Sequence, residues 1–156
     1  MKKFFIAVVI SLLEICFSED FKGFLGIEWG TERNVCIDAM MKKGWQCNND
    51  GKYLICTGGT YGGKQTKMVS FDFDDRGLLR EIFVFFYDEN DADLIIDALI
   101  KKYDLLFAIG LSVKTFLTQD RKTAFYRMKE YIMVVTDYEY IIKQIEQRNK
   151  VDESDL

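Results

Sequence analysis

Residues 4–13 form an apolar run broken only by Ser11, preceded by Lys2 and Lys3 and followed by Cys16-Phe17-Ser18 ahead of the acidic pair Glu19-Asp20. A positive n-region, a short h-region and small residues at the −3 and −1 positions of a cut after Ser18 make the layout of a secretory signal peptide. A membrane-spanning helix needs about 20 apolar residues, and Glu14 interrupts this run well short of that. A lipid anchor on Cys16 is the minor alternative, because Glu14 and Ile15 stand where the lipoprotein peptidase takes small residues. The pattern divides the chain into a signal peptide (1–18), a single domain (19–148) and a disordered acidic tail (149–156).

Beyond the leader, Thr31 offers a hydroxyl N-cap to a helix over residues 31–43, with Cys36, Ile37, Met40 and Met41 as its apolar stripe and Gly44 as its stop. Residues 45–48 and 53–57 read as a hairpin turned through Asn49-Asp50-Gly51. A Gly-rich loop over 58–63 leads to strands over 68–73 and 78–87, separated by Asp74-Asp75-Arg76-Gly77. A second helix starts behind Asn90-Asp91, with Ala92, Ile95, Ile96, Leu99, Ile100 and Tyr103 on one stripe and Lys101-Lys102 at its negative end. Residues 123–128 and 131–135 read as another hairpin, and Tyr138, Ile141, Ile142 and Ile145 as a short closing helix. The segment 37–43 is echoed by 96–102, so each half reads as a helix followed by antiparallel strands. The predicted fold is α+β: a twisted antiparallel sheet of about five to six strands, two main helices on one face, and a short C-terminal helix.

Charge and composition narrow the chemistry. Removing Lys2, Lys3 and Glu14 with the leader moves the net charge from −4 to −5, which speaks against nucleic-acid or anionic-lipid partners. The chain has no His. Ser-His and Cys-His nucleophile activation, imidazole acid/base catalysis and His-ligated zinc are therefore excluded. Gly58-Gly59-Thr60-Tyr61-Gly62-Gly63-Lys64 has the spacing of a phosphate loop, but Gln65 replaces the magnesium-binding hydroxyl and the following segment alternates like a strand. Asp72 to Gly77 resembles a calcium loop with Arg76 at a ligand position and Phe83 in place of the bidentate Glu; Asp88, Asn90, Asp91 and Asp93 lack a central Gly. Both clusters read as turn and cap residues, and no metal or cofactor is expected. Ser70 and Ser112 have no Ser-x-x-Lys arrangement. A carboxylate-pair hydrolase remains the alternative to a non-catalytic protein, so whether the chain is an enzyme stays open, with binding favoured.

After cleavage Cys36, Cys47 and Cys56 remain, in a compartment that permits disulfides. A two-residue turn at Asp50-Gly51 sets Cys47 opposite Leu54 and forbids a bridge, whereas a four-residue turn over 50–53 sets it opposite Cys56; the bridge is preferred. Cys36 is then a buried thiol on the stripe of the first helix. In Phe83-Val84-Phe85-Phe86-Tyr87 both faces of a strand are apolar, which means double burial or a binding surface. Tyr61, Phe85, Tyr87, Tyr126 and Tyr131 are the candidate partner-binding residues, since a sheet covered on one face presents the other, and aromatics there suit protein hot spots.

Phe24-x-x-Ile27-x-Trp29-Gly30-Thr31, a helix, Trp45-Gln46-Cys47, a turn, Cys56 and aromatic-rich strands together resemble the exported bacterial domains of the β-lactamase-inhibitor-protein-like fold. Small outer-membrane assembly lipoproteins share that arrangement of helices on an antiparallel sheet. The resemblance is carried mainly by residues 21–87. It implies tandem helix-plus-strands units, a disulfide joining the first two strands at Cys47 and Cys56, and an open sheet face presented to a protein partner. The sequence thus points to an exported interaction module, inhibitor-like or envelope-associated, located in the periplasm or outside the cell.

Overall fold

Alternation along β4 (Lys64–Phe73) and β5 (Leu79–Phe86) sets the two faces of the sheet. Val69, Phe71, Ile82 and Val84 point inward and are fully buried, while Ser70, Asp72, Glu81 and Phe83 point outward and are half-buried. The computed structural model describes residues 19–108, 113–129 and 131–154; the expected signal peptide, with Cys16, lies outside the described residues, as does Ser112.

Helix α1 (Arg33–Lys42) is followed by β1 (Gln46–Asp50), β2 (Tyr53–Thr57), the two-residue β3 (Thr60–Tyr61), β4 and β5. Helix α2 (Asp91–Tyr103) is followed by β6 (Leu106–Ala108), β7 (Thr115–Leu117), β8 (Thr123–Lys129) and β9 (Ile132–Asp137), and α3 (Tyr138–Ser154) closes the chain. All pairings are antiparallel, in the order β1-β2-β4-β5-β9-β8-β7-β6, with β3 on β4. Helices α1 and α2 are thus each followed by a meander, and the two meanders join along β5 and β9. The segment around Phe24 and Ile27, α1 and α2 bury the inner face, where Cys36, Met40, Ile95, Ile96 and Leu99 meet Leu54, Phe71, Ile82, Met133 and Val135.

The α+β class holds, but the count of about five to six strands and two main helices is corrected to nine strands and three helices among the described residues. The difference lies in β3, β6 and β7, strands of two or three residues too short to display a period. Helix α3 is the longest of the three and runs to Ser154, through most of the segment expected to be a disordered tail. It touches β8 and β9, and its residue Tyr140 lies under the Arg80 guanidinium, so helices are not confined to one face. The first helix starts later than predicted: Glu32 occupies the N-cap position, and the Thr31 hydroxyl donates instead to the Glu28 carbonyl.

Candidate functional site

The outward-facing side chains of β2, β4 and β5 include Tyr53, Ile55, Met68, Phe83 and Phe85, all half-buried, with Tyr126 completing the row from β8. On the same face, Ala124, Ile132, Val134 and Thr136 of β8 and β9 are buried. The open part of the face is therefore narrower than a one-sided sheet would offer. At its end the apolar surface widens. Tyr87 follows β5 and is 69% exposed, Met128 bulges from β8 at 51%, and Tyr131 in the β8–β9 connection is 37% exposed. The Phe86 amide donates to the Tyr131 carbonyl, and Arg127 pairs with Asp93 of α2 at 2.8 Å, which draws these residues to one end of the sheet.

Of the five aromatic candidates, Phe85, Tyr87, Tyr126 and Tyr131 fall within this region on three adjacent strands. Tyr61 does not. It is only 8% exposed, its ring stacks on Phe24 with centroids 4.5 Å apart, and burial pushes its phenol well up. It edges a cleft of about 590 Å³ with Phe21, Lys22, Leu25 and Tyr103, on the opposite side of the sheet.

A polar centre that the sequence did not mark lies among the outward aromatics. Asp72 and Glu81 are direct cross-strand partners, and Thr136 is the partner of Glu81 on its other side. The Tyr126 hydroxyl donates to Glu81 Oε1 at 3.2 Å. Burial pushes the Glu81 carboxyl above its ordinary value, the Tyr126 hydroxyl and more weakly the Thr136 hydroxyl pull against that, and the Asp72 charge adds to the rise. Alternation predicted that Asp72 faces outward; that Glu81 stands beside it depends on strand register, which the sequence left open.

Cys47 and Cys56 are bonded, with Cα atoms 4.1 Å apart. Of the two turns considered from the sequence, the four-residue turn over 50–53 gives the observed register, and the two-residue turn at Asp50-Gly51 does not form. The loop is Gly51-Lys52, with Asp50 opposite Tyr53, and Gly51 takes the positive φ of +53° that a two-residue hairpin loop needs. Cys36 is a buried thiol donating to the Thr31 carbonyl, and burial pushes it up to about 11, so it holds its proton at neutral pH.

The two motif-like segments have local roles. Gly59 lies under the Trp45 ring, where a Cβ would come within 2.0 Å, and its carbonyl accepts both the amide and the hydroxyl of Thr66; no helix opens behind Lys64, which pairs with Asp91 at 2.7 Å. Asp74 is occupied by Arg76 and Arg80, Asp88 by the Asn90 amide, and Asp93 by Arg127. These carboxylates serve turns and ion pairs. Among the described residues, no helix is long and apolar enough to cross a membrane. Comparison with protein-family models, curated proteins and solved structures gives no match.

Proposed function

We propose that the mature chain is an exported, non-catalytic protein-interaction module, inhibitor-like or envelope-associated, that binds a protein partner through the exposed part of the sheet face, at the end of β5 and the β8–β9 connection. The observation that carries this reading is the gathering of Tyr87, Met128 and Tyr131, exposed, next to half-buried Phe85 and Tyr126. Exposed apolar side chains collected at one place and rimmed by charges, here Asp88, Glu89, Asp93, Arg127 and Lys129, mark interaction surfaces. Tyr and Met are also residue types that interface cores favour. The resemblance to β-lactamase-inhibitor-protein-like domains supports the same mode, and the Cys47–Cys56 bond and the N-terminal pattern support export. The hydrolase alternative needs a carboxylate pair facing a substrate cleft. Asp72 and Glu81 instead stand side by side on a sheet face, and neither lines the cleft beside Phe21.

The test uses mature protein as bait against envelope and secreted fractions, with cross-linking. A partner captured by the wild type should be retained at least tenfold less well by Tyr87→Ala/Tyr131→Ala, the loss of about 1.4 kcal/mol or more typical of hot spots. Val35→Ala, on exposed α1, is the matched control. Equal retention by both variants overturns the reading. Mass spectrometry of the exported chain tests the address: an N-terminus at Glu19 supports cleavage, and a lipid on Cys16 replaces it with a membrane anchor.

A further inference from the structure

We propose that Asp72 and Glu81 together receive a guanidinium, an arginine side chain presented by the protein partner. The inference rests on the interaction-module reading above and adds the chemistry of the partner. Like charges directly opposite each other on a sheet face destabilise the strand pair unless something balances them. Within the fold Asp72 accepts the Phe73 amide and Glu81 accepts the Tyr126 hydroxyl, neither of which brings a full positive charge. Lys52 is the cation within ion-pair range of the two among the described residues; it lies 3.9 Å from Asp72, with its side chain 66% exposed and its ammonium over the Tyr53 ring. The better-placed cations are engaged elsewhere: Arg80 with Asp74 and Asp137, Arg127 with Asp93, Lys64 with Asp91, and Arg33 with the β1–β2 turn.

A second observation points the same way. Thr136, opposite Glu81 on the same face, is 4% exposed, and its hydroxyl is turned toward the Glu81 carboxylate without closing a hydrogen bond of normal geometry. A native fold seldom leaves a buried hydroxyl unpaired, so this row of Asp72, Glu81 and Thr136 is short of polar partners from within the chain. The surroundings select arginine over lysine. A planar fork of donors can span two adjacent carboxylates, sheds water more readily than an ammonium, and stacks on rings such as Tyr53, Phe83 and Tyr126. Phe83 and Tyr126 flank the pair in the neighbouring row, continuous with the apolar surface that ends at Tyr87 and Tyr131.

The probe is Nα-acetyl-arginine amide, titrated into the isotope-labelled mature protein and followed by NMR, with the uncharged citrulline analogue as control. Saturable shifts at Asp72, Glu81, Tyr126 and Thr136, absent with citrulline and weakened at least tenfold in Asp72→Asn/Glu81→Gln, are expected. Shifts that do not saturate, that citrulline reproduces, or that persist in the double variant overturn the inference. Glu81→Gln alone, which removes a buried charge and keeps the shape, shows by its unfolding curve that the variants remain folded. The two proposals fail separately. Arginine binding with no captured partner sinks the interaction module alone; a partner retained equally by wild type and the double variant sinks the arginine site alone.

Discussion

Two carboxylates seven residues apart along the chain, Asp74 and Glu81, meet opposite electrostatic fates because of what surrounds them. Burial alone would raise the Asp74 pKa, but the Leu78 and Arg76 amides and the Arg80 and Arg76 side chains donate to its carboxylate and hold it near 2. Arg80 passes the tie onward to Asp137, whose other oxygen accepts the Tyr140 amide and caps α3. A depressed pKa means stabilisation present above the ordinary value of 3.8 and lost as pH falls through about 2. Asp74→Asn should therefore cost about 2 kcal/mol in urea unfolding at pH 7, with the difference from wild type shrinking below pH 4. A loss independent of pH would refute the ionic account. Glu81 has the opposite sign: its raised pKa favours folding below the ordinary 4.5 and costs stability as pH rises through the folded value. Glu81→Gln should match wild type at pH 4 and exceed it at pH 7.5. A variant less stable than wild type at pH 7.5 would show that the charge is already balanced within the chain. Asp74 was legible in the sequence as a turn residue, and its link to α3 was not, because that link spans residues 74, 80 and 137 and exists only once β5 and β9 pair.

At the scale of elements, the sequence spoke clearly where a segment was long and periodic. The stripe of α2 and its C-terminal lysines gave the helix almost to the residue, and the outward positions of Ser70 and Asp72 followed from alternation alone. It was silent for β6 and β7, whose three residues each are held by their neighbours in the sheet rather than by propensity of their own. At the first hairpin it left two turns open, because Asp50-Gly51 is as good a local turn signal as Gly51-Lys52, and the preferred turn over 50–53 is the one that forms. What decides between them is the tertiary pin: Arg33 on α1 donates to the Asn49 side chain and to the Gly51 and Lys52 carbonyls. The register that results puts Cys47 against Cys56. Since the bond closes a short loop, with a sequence separation of 9, loop-closure entropy gives it about 2–3 kcal/mol. Cys47→Ala/Cys56→Ala should lose that amount in urea unfolding, and Cys36, buried in wild type and variant alike, should react with thiol reagents only as each unfolds. An unchanged midpoint would mean that Arg33 and the sheet already fix the hairpin.

At the scale of the molecule, the order β1-β2-β4-β5-β9-β8-β7-β6 makes two helix-plus-meander halves that share one sheet through β5 and β9. The segment ahead of α1 is stitched to both. Phe24 meets Phe71 and Tyr61 of the first half, and the Gly30 amide donates to the Leu79 carbonyl. Phe21 sets its ring edge-on against Tyr103 and Phe125 of the second half, at 5.4 and 5.0 Å, and Trp29 donates its indole N–H to Thr123 at 2.8 Å. The anchoring begins at Phe21, three residues beyond the cut expected after Ser18. A protein trimmed to start at Lys22 should therefore lose the Phe21 contacts, a cost of about 2–3 kcal/mol in urea unfolding. Amide exchange should quicken around Tyr103 and Phe125 and stay unchanged around Leu54 and Val69, because only the second half loses a neighbour. A protein starting at Glu19 should show neither effect relative to one that retains residues 1–18. If trimming to Lys22 leaves stability and exchange untouched, the N-terminal segment is ornament to the second half and the domain boundary belongs at Phe24 rather than at the expected cleavage site.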